Sequence, residues 1–419
     1  MTNSDFKIFI EMCDLLEIGS ITFNYNNILG KGYSSVVYLG KFGDRNVAVK
    51  KIEKENSKLM VKEIALLQKS DEHPNIIRYF QMEEDMEFCY IAVELCLCSL
   101  KNYVDNEEIK LRISVREIAK QFFSGMKFLH LLTIVHRDIK PTNILLKENS
   151  VGNFIVKISD FGFAKELKNS DSEMSVTIKG TRYWPIPEMK SNKYNTKSDV
   201  YSSGRILHFL ALDGNIADIV SWNEVKETHE IVAMKHLVMM MTRTNPEDRP
   251  PFHCLLFHPF FWKKQQMLSF LIATADRLKK TDCSDDSGTK AKQQLTMNFQ
   301  CIVGENWLNR LDSSVKKYLD HPEGSEHFNN GTLITDLLRC IRLLNSHYHE
   351  LNHEAKMTLG PIPYEFVKYW LEKFPQLLIH VYKGVKRSGL FHDKNLAHFY
   401  QASCKNAIWE KKNLMFNIL

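Results

Sequence analysis

The order of apolar and polar positions divides the chain into a β-rich part, a helical part and a second helical part. Residues 21–50 (ITFNYNNILGKGYSSVVYLGKFGDRNVAVK) alternate β-prone stretches with glycine turns, which predicts a hairpin-rich antiparallel sheet. Residues 58–69 (KLMVKEIALLQK) place apolar side chains at helical spacing and predict a helix. Residues 88–94 (FCYIAVE) predict a buried strand.

From about residue 113 the pattern is mostly helical. Residues 164–180 are polar and serine-rich, and they predict a mobile loop. HPFFW at 258–262 closes the first helical part, and QQMLSFLIATADRLKK then begins a new helix. Residues 281–294 are a polar break, after which residues 304–419 are helical again, without glycine-rich hairpins.

Composition narrows the class of protein without naming it. The 419 residues, 44% of them hydrophobic, are enough for two or three globular domains with real cores. The net charge of +5 permits a nucleic-acid partner but does not argue for one, and we expect no DNA partner. Nine cysteines, including the Cys96–Cys98 pair, show no zinc spacing, which favours reduced thiols in the cytoplasm.

Membrane and secretory signals are not expected. No run approaches the roughly 18–20 apolar residues that cross a bilayer. The first residues, MTNSDFKIFIEMCD, lack the basic start and long apolar segment of a signal peptide. We therefore expect a soluble, cytoplasmic chain without a membrane span.

Two motifs in the β-rich part indicate nucleotide binding. Gly30, Gly32 and Val37 fit G-x-G-x-x-G-x-V with a serine as the third glycine, and flexible backbone of this kind can offer N–H donors to phosphates. Lys50 in V-A-V-K then follows where a strand lysine reaches the α- and β-phosphates, with Glu63 in the predicted helix to pair with it.

The run HRDIKPTN at 136–143 and the triplet DFG at 160–162 complete a phosphoryl-transfer site. Asp138 is placed to orient the attacking hydroxyl, and Lys140 to neutralise the charge of the transferred phosphate. Asn143 and Asp160 are the candidate Mg²⁺ ligands. Phe161 is expected to be a packing residue that sets the position of Asp160.

These motifs resemble the eukaryotic protein-kinase family over about residues 21–262. Ile186-Pro187-Glu188, Asp199 and Arg249 are further matches, and in the family the arginine pairs with the glutamate that matches Glu188. The resemblance implies a bilobal kinase fold and Mg²⁺-dependent use of ATP. The positions assigned to cofactor binding are Gly30, Gly32, Val37, Ala48, Lys50, Glu63, Glu94 and Cys96.

One departure concerns the substrate-docking face. The family usually carries a further helix and loop between the residues that match Asp199 and Arg249, where this chain is short. This favours phosphorylation of the chain's own loop over that of outside protein substrates. The candidate acceptor hydroxyls are Ser170, Ser172, Ser175 and Thr177. A phosphate on one of them could pair with Arg137 or another nearby cation and order the loop.

Other segments narrow the resemblance. SDEHPNIIRYF, YIAVELC, IVHRDIKPTNILL and HPFFW resemble the inositol-requiring kinase/endoribonuclease family that signals endoplasmic-reticulum stress, with ribonuclease L as a more distant relative. DLLRCIRLLNSHYHEL at 336–351 and GPIPYEFVKYWLEKFPQLLIHVYK at 360–383 resemble its helical ribonuclease domain. The resemblance implies metal-free RNA cleavage, with Arg342 and His347 as candidate catalytic residues.

Two departures affect the ribonuclease assignment. The family's asparagine after the arginine is Leu343 here, and its tyrosine has no clear match, with Phe328 or Asn329 nearest. Loss of two hydrogen-bonding groups aimed at the transition state could cost several kcal/mol. The ribonuclease could therefore be weak, altered in specificity or silent. Asn345 is a possible replacement from a shifted register.

The predicted class is α+β, with a bilobal protein-kinase fold followed by an all-α ribonuclease-like domain. The predicted boundaries are an extension at 1–20, a kinase domain at 21–262, a helical domain at 263–412 and a tail at 413–419.

Three functional hypotheses remain. The first is an autophosphorylating Ser/Thr kinase that gates an endoribonuclease through nucleotide binding and homodimer or higher-oligomer formation, with an RNA stem-loop as a possible substrate. The second keeps the kinase and makes the helical domain a non-catalytic dimerisation or binding module. The third is a nucleotide-sensing scaffold. In a longer family member this chain would lie on the cytosolic face of the endoplasmic reticulum membrane.

Overall fold

The computed structural model describes residues 15–32, 35–167, 174–175, 184, 186–188, 193–214, 225–281, 284–320 and 331–400. The described residues fall into two compact units. The first unit takes its residues from Met1–Ile216 and Met241–Phe252. The second takes them from Ala217–Met240 and His253–Leu419.

The strands belong to the first unit. They are β1 (Leu15–Ile18), β2 (Ile21–Lys31), β3 (Ser35–Phe42), β4 (Arg45–Glu53), β5 (Tyr79–Glu84), β6 (Phe88–Glu94), β7 (Cys98–Ser99), β8 (Ile134–Val135), β9 (Ile144–Glu148), β10 (Phe154–Ile158), β11 (Lys165–Glu166), β12 (Met174–Ser175) and β13 (Lys193–Tyr194).

An antiparallel six-stranded sheet with the order β1-β2-β3-β4-β6-β5 forms the amino-terminal part. Alternating side chains of its strands bury Phe23, Val47 and Val49 against Tyr90. Gly40 permits close strand packing, because a Cβ there would lie 2.5 Å from the Thr22 carbonyl oxygen. The hairpin-rich sheet predicted for residues 21–50 is present.

The helices follow the predicted distribution closely. They are α1 (Ser57–Ser70), α2 (Leu100–Tyr103), α3 (Glu107–Arg112), α4 (Val115–Leu131), α5 (Thr196–Ala211), α6 (His229–Met241), α7 (Phe252–Leu255), α8 (Lys264–Lys279), α9 (Asp286–Thr296), α10 (Phe299–Val303), α11 (Ser313–Asp320), α12 (Ile334–Ser346), α13 (His353–Leu359), α14 (Tyr364–Lys373) and α15 (Leu377–Arg387).

Two capped helices support the catalytic part of the first unit. The Ser114 side chain caps α4 by accepting a hydrogen bond from the Glu117 N–H, and Asn195 caps α5 in the same way. The strands β9 and β10, which follow α4, form an antiparallel sheet with the earlier strand β7, in the order β10-β9-β7. This arrangement places the loops after β8 and β10 next to each other.

Helices are the regular secondary structure of the second unit, and its described residues include no strand. Its core contains fully buried Phe270, Trp307, Phe366, Trp370 and Phe374. The helix α12 contributes a buried stripe at i, i+3, i+4 and i+7 spacing, as the sequence pattern predicts. Most of α9 lies within the polar run at 281–294, so the predicted break is shorter than expected.

The second unit also includes residues that precede the HPFFW motif. In α6, His236 Nδ1 lies 2.8 Å from His258 Nε2, and the Tyr382 ring packs edge-on to both imidazoles. Gln376 Nε2 donates to Glu227 Oε1 at 3.0 Å. Residues 225–240 are thus part of the same packed body as α15.

Within the described part of the chain, every helix is too short or too polar to cross a membrane.

Candidate functional site

Lys50 lies at the centre of the first candidate site. Its Nζ is 2.7 Å from Glu63 Oε1 and 2.9 Å from Asp160 Oδ1. The strand β4 supplies Lys50, α1 supplies Glu63 and the segment after β10 supplies Asp160. Burial opposes the charge of Lys50, but the two carboxylates outweigh it and hold its pKa above the usual value. The ammonium is therefore charged and fixed where a phosphate could meet it.

The backbone around Asp160 directs its carboxylate toward Lys50. Asp160 has a φ of +63°, a left-handed conformation that is uncommon outside glycine. Phe161 is 1% exposed and its ring centroid lies 5.1 Å from that of His136, so the following residue is anchored in the core. The charge of Lys50 lowers the pKa of Asp160 to about 2, which keeps the carboxylate ionised at neutral pH.

Asp138, Lys140 and Asn143 form the other half of this site. Lys140 Nζ lies 2.6 Å from Asp138 Oδ2. Asn143 Nδ2 donates to the carbonyl oxygen and to Oδ2 of Asp138, both at 2.9 Å. The Asp138 side chain is 8% exposed. Its carboxylate is thus held in one orientation beside a cation, as a residue that orients a hydroxyl requires.

Asp199 anchors the backbone of the loop that contains Asp138. It is fully buried, and its two carboxylate oxygens accept the N–H groups of His136 and Arg137, each at 2.9 Å. His130 Nε2 is 3.0 Å from the same carboxylate. Arg137 has a φ of +70°, which a β-carbon makes unfavourable, so these bonds stabilise a strained turn.

Two of these residues fit a magnesium ion that is shared with a nucleotide. Asp160 offers an ionised carboxylate. Asn143 offers its amide oxygen, which accepts a 3.4 Å hydrogen bond from the Thr142 hydroxyl, while its Nδ2 donates to Asp138. Mg²⁺ usually needs only one or two protein oxygens when phosphates complete its shell. No group of three His, Cys, Asp or Glu side chains in the described residues is placed to hold a metal.

The predicted phosphate loop and the strand that follows it border the site. Gly30 is the penultimate residue of β2, and the Gly32 N–H donates to the Ser35 carbonyl oxygen at 2.8 Å. Val37 and Ala48 lie on β3 and β4. Residues 33–34, at the tip of the loop, lie outside the described residues.

The side chains of Glu94 and Cys96 differ in how strongly the protein engages them. The Glu94 carboxylate lies 2.5 Å from Lys147 Nζ and 2.7 Å from Lys157 Nζ. Burial favours the neutral acid, but these lysines outweigh it and lower the pKa of Glu94. Burial raises the pKa of the Cys96 thiol to about 12, which keeps it neutral. The Glu94 side chain is thus engaged within the protein, whereas the Cys96 thiol is neutral and half-buried.

The loop after the DFG triplet is described only in part. Glu188 forms a buried ion pair with Arg249, the pairing that the kinase resemblance implies. Ser175 lies on β12, opposite Lys193 of β13. Ser170, Ser172 and Thr177 lie outside the described residues, and so do Phe328 and Asn329.

The second candidate site lies at the carboxyl end of α12. Arg342 is on the last turns of this helix, and His347 is its C-cap residue. Arg342 Nη1 lies 3.2 Å from Asp276 Oδ1, and His347 Nδ1 lies 3.0 Å from Glu350 Oε2. The His347 side chain is 53% exposed, so a substrate in solution can reach the imidazole.

Sequence reasoning missed two residues that hold site residues in place. Asp199 appeared only as a match to the kinase pattern, and Asp276 did not appear at all. Asp276 lies on α8, more than sixty positions before Arg342, so only the packing of α8 against α12 joins them. Leu343, which follows Arg342, is half-buried and brings no polar atom to the site.

Comparison with known proteins adds two family matches. The family described as "Protein kinase domain" matches residues 23–261, and the family described as "Ribonuclease 2-5A" matches residues 267–400.

Three relatives are similar across both parts. The human serine/threonine-protein kinase/endoribonuclease IRE2 is 33% identical over 399 residues, which cover 89% of this chain and 42% of the relative. The Caenorhabditis elegans serine/threonine-protein kinase/endoribonuclease ire-1 is 33% identical over 394 residues, 88% of this chain and 40% of the relative. The Schizosaccharomyces pombe sensor for unfolded proteins in the ER, ire1, is 32% identical, and its match covers 88% of this chain and 38% of the relative. The chain thus spans well under half the length of these curated relatives.

Proposed function

The chain belongs to the protein-kinase family and, with a ribonuclease 2-5A domain behind the kinase, to its kinase/endoribonuclease branch; from this we propose that it is an autophosphorylating Ser/Thr kinase joined to an endoribonuclease. Nucleotide binding and self-association would gate the ribonuclease, in signalling of endoplasmic-reticulum stress. The similarity to relatives named kinase/endoribonucleases supports this proposal over a helical domain that only binds.

The observation that best supports the kinase proposal is the group of ion pairs around Lys50. Lys50, Glu63 and Asp160 are in contact, and Asp138 is clamped by Lys140 and Asn143. Magnesium bound with ATP would supply charge neutralisation at the phosphates. Asp160 and Asn143 would bind that ion, and Lys50 would hold the α- and β-phosphates. These contacts support a kinase over a nucleotide-sensing scaffold.

Asp138 and Lys140 would act at the transferred phosphate. The Asp138 carboxylate would accept the proton of the attacking hydroxyl, and the adjacent Lys140 ammonium would stabilise the negative charge of the transferred group. The stretch that contains Ser170, Ser172, Ser175 and Thr177 belongs to the chain's own loop. The short segment between Asp199 and Arg249 supports this stretch as the preferred acceptor.

Incubation with radiolabelled ATP and Mg²⁺ tests the kinase proposal. Wild-type protein should incorporate label into the 170–177 stretch, and Asp138→Asn should reduce the rate of incorporation by several orders of magnitude. Lys368→Gln, which changes an exposed lysine paired with Glu365, is the matched control. A wild-type protein that takes up no label would contradict the kinase proposal.

The ribonuclease proposal rests on Arg342 and His347. The Arg342 guanidinium would stabilise the phosphorane, and the exposed His347 would transfer a proton at the cleaved bond. Leu343 is the feature that favours the alternative, in which the helical domain only dimerises or binds.

A stem-loop RNA cleavage assay distinguishes an endoribonuclease from a helical domain that only dimerises or binds. Cleavage that is lost in His347→Ala and raised in Leu343→Asn supports the endoribonuclease. A dimeric, nucleotide-bound wild type that leaves RNA intact supports the non-catalytic alternative.

A further inference from the structure

Three charged side chains meet where two sheets of the first unit come together. The Glu94 carboxylate, at the end of β6, lies 2.5 Å from Lys147 Nζ of β9 and 2.7 Å from Lys157 Nζ of β10. The side chains of Glu94 and Lys157 are only 10% and 9% exposed, whereas that of Lys147 is 36% exposed. One acid therefore joins three strands that belong to two different sheets.

Backbone hydrogen bonds connect the same strands. The Glu94 N–H donates to the Arg78 carbonyl oxygen at 2.9 Å, and the Ile77 N–H donates to the Ile158 carbonyl oxygen at 2.9 Å. The segment that contains Ile77 and Arg78 is thus bonded both to β6 and to β10. The ion pair of Glu94 with Lys157 adds a direct link between these two strands.

This ion pair lies close to another link between the same parts of the chain. Glu94 is opposite Val47 in the register of β4 and β6, and Val47 is three positions before Lys50. On the other side, Lys157 is three positions before Asp160, the partner of Lys50. Three residues span at most roughly 11 Å of chain. The six-stranded sheet and the segment that leads to Asp160 are therefore joined at two nearby points, which restricts rotation of one against the other.

The strands that Glu94 joins also carry the candidate magnesium ligands. Asn143 is the residue before β9, which contains Lys147. Asp160 is the second residue after β10, which contains Lys157. A shift of either strand against Glu94 would therefore move a magnesium ligand with respect to the six-stranded sheet.

Stability alone does not account for three charges in this place. Desolvation of buried ions offsets much of their attraction, so hydrophobic side chains of similar size often stabilise a fold equally well or better. Burial favours the neutral form of Glu94, but the two lysines outweigh it and lower the pKa of the carboxyl. The charges supply a defined geometry, because short contacts between them form only at one relative position of the two sheets.

We propose that Lys157 and Lys147 are positioning residues for the nucleotide site. Through Glu94 they hold β9 and β10 where one magnesium-bound nucleotide can contact both Lys50 and the candidate magnesium ligands. Each lysine acts through the Glu94 carboxylate and does not itself touch the nucleotide. This inference rests on the proposed kinase function and adds which groups outside the site set its dimensions.

Equilibrium binding of Mg²⁺·ADP to the full chain, measured by isothermal titration calorimetry, tests the proposal without requiring phosphate transfer. Lys157→Met removes the charge and keeps an unbranched side chain. Its Kd for Mg²⁺·ADP should rise about 10-fold, which corresponds to about 1.4 kcal/mol. Lys157→Arg retains the charge and should recover most of the affinity. An unchanged Kd in Lys157→Met would overturn the proposal.

A double variant separates positioning from folding stability. Lys157→Met leaves the Glu94 carboxylate with one cation in place of two, so its melting temperature should fall. Glu94→Gln/Lys157→Met removes both buried charges, and the more exposed Lys147 can turn to water. The melting temperature of the double variant should return toward that of the wild type, while its Kd for Mg²⁺·ADP stays raised. Recovery of both quantities would show that the lysines only compensate a buried charge, and the positioning role would be wrong.

The matched control is Lys54→Met, which removes a lysine from an exposed ion pair of the same unit, with Lys54 Nζ 3.1 Å from Glu84 Oε1. This control should bind Mg²⁺·ADP as the wild type does. A rise in Kd as large as that of Lys157→Met would mean that loss of any lysine has this effect, and it would contradict the proposal.

The outcomes separate the positioning role from the proposed kinase activity. A wild type that binds Mg²⁺·ADP more tightly than Lys157→Met but incorporates no label from ATP supports the positioning role and contradicts the kinase. Label uptake with the same KM for ATP in wild type and Lys157→Met supports the kinase and contradicts the positioning role.

Discussion

Asp199→Asn should disable the kinase site without touching a group that meets the substrate. The carboxylate of Asp199 is fully buried and accepts two backbone N–H groups and His130 Nε2. An amide retains one acceptor oxygen, but it places an NH₂ group against the second backbone donor. The strained turn at Arg137 would then lose one of the hydrogen bonds that stabilise it.

The expected size follows from these contacts. The variant loses at least one hydrogen bond to a charged acceptor, worth about 1.5–3 kcal/mol, and leaves a buried N–H unsatisfied at about 1–3 kcal/mol. A total near 4 kcal/mol should lower the Tm of a domain of this size by about 10 °C. The rate of autophosphorylation should fall as well, because Asp138 follows directly on the loosened turn.

Differential scanning calorimetry and initial rates of label uptake measure the two effects. The control is Asp248→Asn, an exposed position in the same unit that loses the same charge. Surface changes of this kind usually stay within about 0.5 kcal/mol. If Asp199→Asn melts and phosphorylates like Asp248→Asn, the account of the loop support is wrong.

Glu63→Gln should slow autophosphorylation about 30-fold in initial-rate assays, since about 2 kcal/mol of charge-assisted bonding to Lys50 is lost; an unchanged rate would contradict the role of the pair. His258 is buried, and its burial with the charges of His236 and Lys386 holds its pKa well below its usual 6.5. Below pH 6.5 the His258 imidazole is protonated in the unfolded chain but stays neutral in the folded chain. The free energy of unfolding is therefore at its full value above pH 6.5 and decreases as the pH falls, by about 2 kcal/mol at pH 5. In urea titrations, the free energy of unfolding of His258→Asn should depend less on pH than that of the wild type. Equal pH dependence of the two proteins would refute the role of His258. Gly40→Ala should destabilise the sheet by about 2 kcal/mol in thermal melts, whereas Gly30→Ala, with no atom within 4 Å of the new carbon, should not; equal melting would count against the packing argument.

The sequence pattern was sufficient to predict those elements whose stabilising contacts are made between residues close in sequence. The helical spacing of 58–69 placed Glu63 correctly on a helix, and the α+β class is confirmed by the family matches. The stripe of α12 was equally visible, because its core face repeats every three to four residues.

The features that the sequence did not predict depend mainly on contacts between distant parts of the chain. The helix α9 was hidden in a polar run because it buries little more than Ala291 and Leu295, with Asp285 as its cap. The side chain of Glu94 could not be assigned from sequence, because its partners Lys147 and Lys157 lie more than fifty residues away. The link between Asp276 and Arg342 has the same origin.

The inclusion of residues 225–240 in the second unit bears on how such proteins could be recombined. A fragment cut at residue 263 would leave behind His236, His258 and Glu227, and with them the contacts that Tyr382 and Gln376 make. Exchange of the helical part between relatives would therefore have to carry this earlier stretch along. The part of the chain that packs with the ribonuclease-like helices is therefore longer than the family match at residues 267–400, because it also includes residues 225–240 and His258.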